Sequence, residues 1–273
     1  MKAWLVKSGV LAAAGVVLAG CWHPPAPPGP ITLDTTGVRP DANYGELAQV
    51  LADAVDSRGL IDTVILGNRT ALLDAQLKRL AVTGPTVTPA LFPTPEDRLA
   101  YWYNARAGWS LKMLAMSPCT KDSPCPEAED RRFPLDGRTM TLADIDAVLA
   151  DDADWRTLVC APGCCLSRAR PPAKPLSGAD IRRRIAQGFI ELVDDPARFV
   201  IDVESQQILV PSVLWRYRQR LIDHYQNTYG TVGATLGTAL LPYLSGSALR
   251  RLQDAIGYQT VELSAGDKPA ISD

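Results

Sequence analysis

One stretch limits the fold of this chain more than any other. Thr94-Pro95-Glu96-Asp97 is a helix start: a capping threonine, proline in the first position and two acids in the first turn. Beyond it Leu99, Trp102, Arg106, Trp109 and Met113 recur at steps of three and four, which places them on one stripe of a helix running to 116. A stripe that carries two tryptophans has to be covered by other elements, so this helix is expected in the core. Arg106 in the middle of the stripe is the anomaly. The favoured expectation is that its stem packs while its head reaches water. The sharper alternative is a buried arginine paired with a carboxylate and lining a site, with Trp102 beside it.

The second constraint is sulfur. Trp155, Thr157, Leu158 and Val159 read as a short buried strand, which Pro162-Gly163 breaks into a turn. Three of the six cysteines, Cys160, Cys164 and Cys165, lie at its end. Thiols in such a place suit a nucleophile, a metal site or a disulfide clamp. Cys119 and Cys125 bracket a turn-rich loop, and in an oxidising compartment a disulfide closing that loop is the default. Cys160 is expected to pair with Cys164 or Cys165. The spacings within Cys119, Cys125, Cys160 and Cys164 do not match the usual two-residue zinc knuckle, so no metal and no cofactor are expected.

The amino terminus supplies an address. Lys2 and Lys7 precede an uninterrupted small and apolar run over 8–20, a signal-peptide pattern too short to span a bilayer, which takes roughly 20 residues. The run ends Leu18-Ala19-Gly20-Cys21, which resembles the lipobox of bacterial lipoproteins. That resemblance implies cleavage before Cys21, a diacylglycerol on its thiol and a further acyl chain such as palmitate on its amino group. Residues 1–20 are then a signal peptide, and 21–40 a lipidated tether rich in proline that favours extended conformation. His23 lies on this tether, where nothing rigid holds it. Trp22 is not the aspartate that resembles an inner-membrane retention signal, so the expected location is the bacterial envelope, at the outer membrane if the host has one. Loss of Lys2 and Lys7 with no acid takes the formal charge from −2 to −4. A mildly acidic chain gives no reason to invoke nucleic acid.

Residues 41–258 read as one globular domain and 259–273 as a polar tail. Asp41 is expected to cap a helix with Leu47, Val50, Leu51, Ala54 and Val55 inward, ended by Gly59. A second helix is expected over 68–81. Phe133-Pro134-Leu135, Asp136-Gly137 and Thr139-Met140 read as a small hairpin. Thr141 with Asp144 caps a short helix carrying Leu142, Ile145 and Leu149. A helix over 177–193 points Ile181, Ile185, Phe189 and Leu192 inward, and Arg182, Arg183 and Arg184 form its solvated face. A hairpin joins 199–203 to 208–210. Ser212 then caps a helix with Leu214, Tyr217, Leu221 and Tyr225 inward and His224 beside that face, and a last helix covers 247–256. Helices interleaved with a few short strands give an α+β fold, mostly helical, with strands and hairpins around the cysteine-bearing strand.

Four stretches in order, Tyr101-Trp102-Tyr103-Asn104, then 141–146, then Cys160 to Cys165, then Pro211-Ser212-Val213-Leu214-Trp215-Arg216-Tyr217, resemble the domain of unknown function 547 family over about 42–250. The family's aromatic-Trp-x-Asn core is met by Trp102 and Asn104, and its paired cysteines match Cys160 and Cys165. Its histidine after the acid is replaced here, the acid standing as Asp146 and the histidine as Ala147. A histidine before the first cysteine falls at Trp155, and the proline after the second is Leu166.

Two functions stay open. The favoured one is a non-catalytic envelope lipoprotein, held to the membrane by its lipid and binding a partner protein or a small ligand. The alternative is acyl transfer on a peptide or cell-wall substrate, with Cys165 as nucleophile and Asp146 and Asn104 nearby. A thiol nucleophile needs an activating base, and this chain offers only His23 and His224.

Overall fold

The computed structural model describes residues 29–117, 120, 123, 125, 129–263, 268 and 270–272. The signal segment, Cys21, His23 and Cys119 lie outside the described residues.

In chain order the elements are α1 (Gly45–Ala54), α2 (Thr63–Asn68), α3 (Thr70–Val82), α4 (Pro95–Ala115), β1 (Phe133–Leu135), β2 (Arg138–Met140), α5 (Leu142–Ala150), α6 (Arg156–Val159), α7 (Gly178–Asp194), β3 (Val200–Asp202), β4 (Gln207–Val210), α8 (Ser212–Arg216), α9 (Arg218–Tyr229), α10 (Leu236–Leu240), α11 (Gly246–Asp254) and β5 (Gln259–Glu262). The result is a mostly helical α+β domain with one antiparallel pair, β1-β2, and one three-stranded sheet, β3-β4-β5.

Helix α4 is the axle. Thr94 Oγ1 accepts from the Asp97 amide at 3.1 Å while Asp97 Oδ2 accepts from the Thr94 amide at 3.2 Å, a complete capping box. Residues 99–111 are buried on every side, not along one stripe. Helices α2, α3, α5 and α7 pack around it, which explains why small residues fill the positions between the aromatic ones. Trp109 stacks on Phe133 of β1, centroids 4.2 Å apart. Thr94→Ala removes one half of the box and should lower stability by about 1 kcal/mol. A urea melt with an unchanged slope and a lower midpoint is the expected record.

Several sequence expectations hold in detail. Asp136 and Gly137 both take positive φ, 52° and 71°, as a two-residue hairpin turn requires. Thr141 and Asp144 form the capping box of α5. Helix α7 buries Ile181, Ile185, Phe189 and Leu192.

Others are corrected. The segment expected as a cysteine-bearing strand is the short helix α6, so the cysteines sit on a loop after a helix. Asp154 Oδ1 accepts from the Arg156 amide and Asp152 Oδ1 takes the Thr157 hydroxyl, which turns the chain into a helix before Thr157, Leu158 and Val159 are buried. A short apolar run buried all round carries no period by which strand and helix can be told apart. Asp41 does not cap α1; it accepts from the Asn43 amide and from Arg79. The helix expected after Ser212 is broken at Tyr217 into α8 and α9. The expected polar tail over 259–273 contains ordered elements among its described residues. Strand β5 runs parallel to β4 with Val261 opposite Leu209, and Ala270 is fully buried. Among the described residues no helix is long and apolar enough to cross a membrane.

Candidate functional site

The loop from Cys160 to Arg170 is held on all sides by hydrogen bonds from distant parts of the chain. From α4, Arg106 Nη1 donates to the Pro162 carbonyl. The carboxy-terminal segment contributes two bonds: the Leu166 amide donates to the Lys268 carbonyl at 2.8 Å and the Ala270 amide to the Cys164 carbonyl at 2.7 Å. Arg198, between α7 and β3, donates from Nε to the Leu166 carbonyl at 3.0 Å and from Nη2 to the Arg168 carbonyl.

Arg106 does not reach water. It is fully buried, and its Nε donates to Asp146 Oδ1 at 2.7 Å, which overturns the favoured expectation and matches the burial and pairing of the sharper one, though Arg106 is not among the residues that line the cleft beside Cys160. Asp146 Oδ2 accepts from Arg168 Nη2 at 2.7 Å, Arg168 reaches Glu129 at 3.0 Å, and Glu129 meets Arg216 at 2.9 Å on the surface. A file of alternating charge therefore runs from the middle of α4 to solvent. Burial alone would raise the Asp146 carboxyl pKa. The Arg106 and Arg168 guanidiniums outweigh it and hold that pKa below the ordinary carboxylate value. A carboxylate so committed is a structural counter-ion, not a general base.

The other sequence-named residues take similar places. Asn104 forms a two-bond clamp on the chain before α7, donating to the Leu176 carbonyl at 2.9 Å and accepting from the Leu176 amide at 2.8 Å. At 1% exposure its amide faces the core. Trp102 is buried edge-on against Tyr101. His224 is exposed on α9.

The sulfurs are arranged differently from the expectation. Cys125 is bonded to Cys165, with Cα atoms 5.5 Å apart, so the loop-closing pair of Cys125 with Cys119 and the pairing of Cys160 with Cys164 or Cys165 are both overturned. The cause is tertiary: Cys125, ahead of β1, lies against the cysteine loop and meets a partner forty residues away in sequence. Bonded in this way, Cys165 is not a nucleophile. Cys164 Sγ lies 3.8 Å from Cys125 Sγ, outside that bond. The sulfurs of Cys125, Cys164 and Cys165 fall within 4.8 Å of one another, close enough to share a soft metal as thiolates. With two of them in a disulfide, that donor set is not formed. Cys160 is unbridged, and burial pushes its thiol pKa up to about 12, the opposite of activation.

Cys160 forms part of the floor of a cleft of about 670 Å³. Tyr103 of α4, Leu176, and Pro162, Pro171 and Pro172 give it apolar walls, and α7 closes one side with Arg184, Gly188 and Glu191. The volume lies in the range of small-molecule sites. Gly59 shapes the rim. Its φ is 73°, and a Cβ there would stand 2.6 Å from the Arg170 Cβ, so the turn needs glycine on both counts. Four guanidiniums and three carboxylates line the cleft. Arg58 pairs with Asp56 at 3.0 Å, Arg170 with Asp195 at 2.7 Å and Arg184 with Glu191 at 2.9 Å. Arg198, only 4% exposed, has no carboxylate partner among the described residues. Burial lowers its pKa to about 10, helped by the neighbouring Arg170, and it stays charged at neutral pH.

Sequence reasoning named Cys160 in this cleft and missed Arg198, Arg170 and Tyr103. Arg198 stands in a Pro-Ala-Arg-Phe stretch between two elements, where no period or spacing marks it. No family model, no curated protein and no solved structure matches the chain.

Proposed function

We propose that this chain is a lipid-anchored envelope protein whose domain holds a small ligand in the cleft beside Cys160 and does no covalent chemistry on it. One observation carries this reading: a preformed cleft of about 670 Å³ lies against the Cys160 thiol, which burial holds protonated. Cys165 is consumed in a disulfide, Cys160 is raised to about 12, and no histidine stands among the cleft's lining residues. Asp146 and Asn104 are buried and engaged in holding α4 to its neighbours.

The anchoring half of the proposal rests on the lipobox at Cys21; of the tether expected over 21–40, Ile31 is buried and its amide donates to the Arg132 carbonyl at 2.8 Å, so its later part lies against the domain. The resemblance to the domain of unknown function 547 family, carried by its four stretches, accords with a domain that keeps the family's cysteines and has lost its histidines.

Each half has its own test. Mass spectrometry of the amino-terminal peptide is expected to find Cys21 as first residue with a diacylglyceryl group; an unmodified Cys21 ends the anchor. Alkylation of the native protein at neutral pH should label Cys160 at least about a hundredfold more slowly than a free peptide thiol, because so little thiolate is present. Labelling faster than the peptide would overturn the non-catalytic reading.

A further inference from the structure

We infer that the ligand of the Arg198 cleft is a small monoanionic carboxylate with an apolar body, its carboxylate received by the Arg198 guanidinium. The inference rests on the proposal that the cleft is a binding site, and it names what the site takes.

Charge accounting comes first. The three other arginines of the cleft each have a carboxylate within 3.0 Å, so one positive charge is left over, and it is the buried one. A guanidinium has five N–H donors in a planar fork. Arg198 uses one on Nε and one on Nη2 to hold the Leu166 and Arg168 carbonyls. Its Nη1 donates to nothing among the described residues, yet it is not among the sealed, unsatisfied atoms of the core. Arg198 lines the cleft, and on this inference the open end of its fork faces it. A buried charge without a counter-ion is costly, and an anion that supplies one is held by charge-assisted hydrogen bonds.

The choice among anions follows from the surroundings. One unbalanced charge matches a monoanion. A phosphate dianion would bring a second negative charge up against Asp56, Glu191 and Asp195, whose arginines are already taken. The planar fork fits the planar carboxylate with two parallel bonds. The remaining walls, Leu176, Tyr103, Pro171 and Pro172 among them, offer nothing to a polar body and would cover an aryl or alkyl one.

The test is titration calorimetry on the full chain in non-ionic detergent micelles. The probes are benzoate and hexanoate, their neutral counterparts benzyl alcohol and hexanol, and inorganic phosphate. Saturable binding of at least one carboxylate is expected, with the matching alcohol weaker by about tenfold or more, the worth of one charge-assisted bond, and with phosphate weaker still. Benzoate and hexanoate tell an aryl from an alkyl body. Arg198→Gln should reduce carboxylate binding by at least the same factor. Because Arg198 also braces the cysteine loop, Ala173→Trp is the second variant. Ala173 is exposed at the cleft wall, so a bulky side chain there should block binding while leaving the melting temperature unchanged. If alcohols match the carboxylates, or phosphate exceeds them, and Ala173→Trp still blocks, the cleft binds ligands and the carboxylate assignment is wrong. If no probe binds, both the assignment and the binding role of the cleft fall.

Discussion

Asp146→Asn is expected to lower the stability of the domain by about 3–5 kcal/mol, the cost of removing one partner from a buried ion network. The asparagine keeps the shape and loses the charge, so Arg106, 0% exposed, loses its 2.7 Å ion pair with Asp146, and Arg168, 4% exposed, keeps only the half-exposed Glu129 of its two carboxylates. Total stabilities of about 5–15 kcal/mol make this a large share of what holds the fold. Arg106→Leu should cost less, since Asp146 keeps its 2.7 Å bond to Arg168 while the leucine joins an apolar helix core. The pH record separates the charge from the shape. The carboxyl of Asp146 is depressed in the folded state, so its contribution is complete above the unfolded carboxylate value of about 3.9 and is lost as pH falls through the lower native value. The difference in urea midpoint between wild type and Asp146→Asn should therefore shrink as pH is taken down through the strongly acidic range. A gap that stays constant there would show that the network stabilises through packing alone.

This network also marks where reading the sequence succeeds and where it stops. Signals written within a few residues hold: the Thr94 and Thr141 capping boxes, the Asp136-Gly137 turn and the apolar face of α7 all depend on neighbours in the chain. Arg106 could be recognised as out of place on its stripe, because a charge among tryptophans is anomalous at any distance. Its resolution could not, because Asp146 lies forty residues away and the choice between snorkelling and pairing depends on whether α5 covers that face. The short helix α6 was lost for a related reason, since a run buried all round has no period to read. Strand β5 pairs parallel to β4 across about fifty intervening residues, and a polar composition in Gln259–Glu262 suits an edge strand as well as a tail. Arg198 is the hardest case. Its importance lies in the counter-ion it lacks, and a missing partner is visible only once every other arginine of the cleft has been assigned.

The second large effect is expected from the sulfur bond. Cys125→Ala with Cys165→Ala opens a loop whose ends are 40 residues apart in sequence, and by the chain-entropy account this costs about 4 kcal/mol. Alanine at both positions leaves neither of the paired thiols behind, so the loss can be compared directly with wild type melted in excess dithiothreitol, which should approach the same midpoint. The effect should also reach the cleft. The bond ties the segment ahead of β1 to the same loop whose Leu166 and Arg168 carbonyls hold the Arg198 fork in place. With the tie removed, the Arg106, Lys268, Ala270 and Arg198 bonds and the ion pairs of Arg168 and Arg170 are left to steady that loop against the core. Carboxylate binding should then weaken along with stability in the double variant, although neither cysteine touches the cleft. A double variant that unfolds at the wild-type midpoint, with the wild type giving the same midpoint in dithiothreitol, would mean that the bond contributes no closure. The loop would then have to owe its order to the hydrogen bonds and the charge file alone.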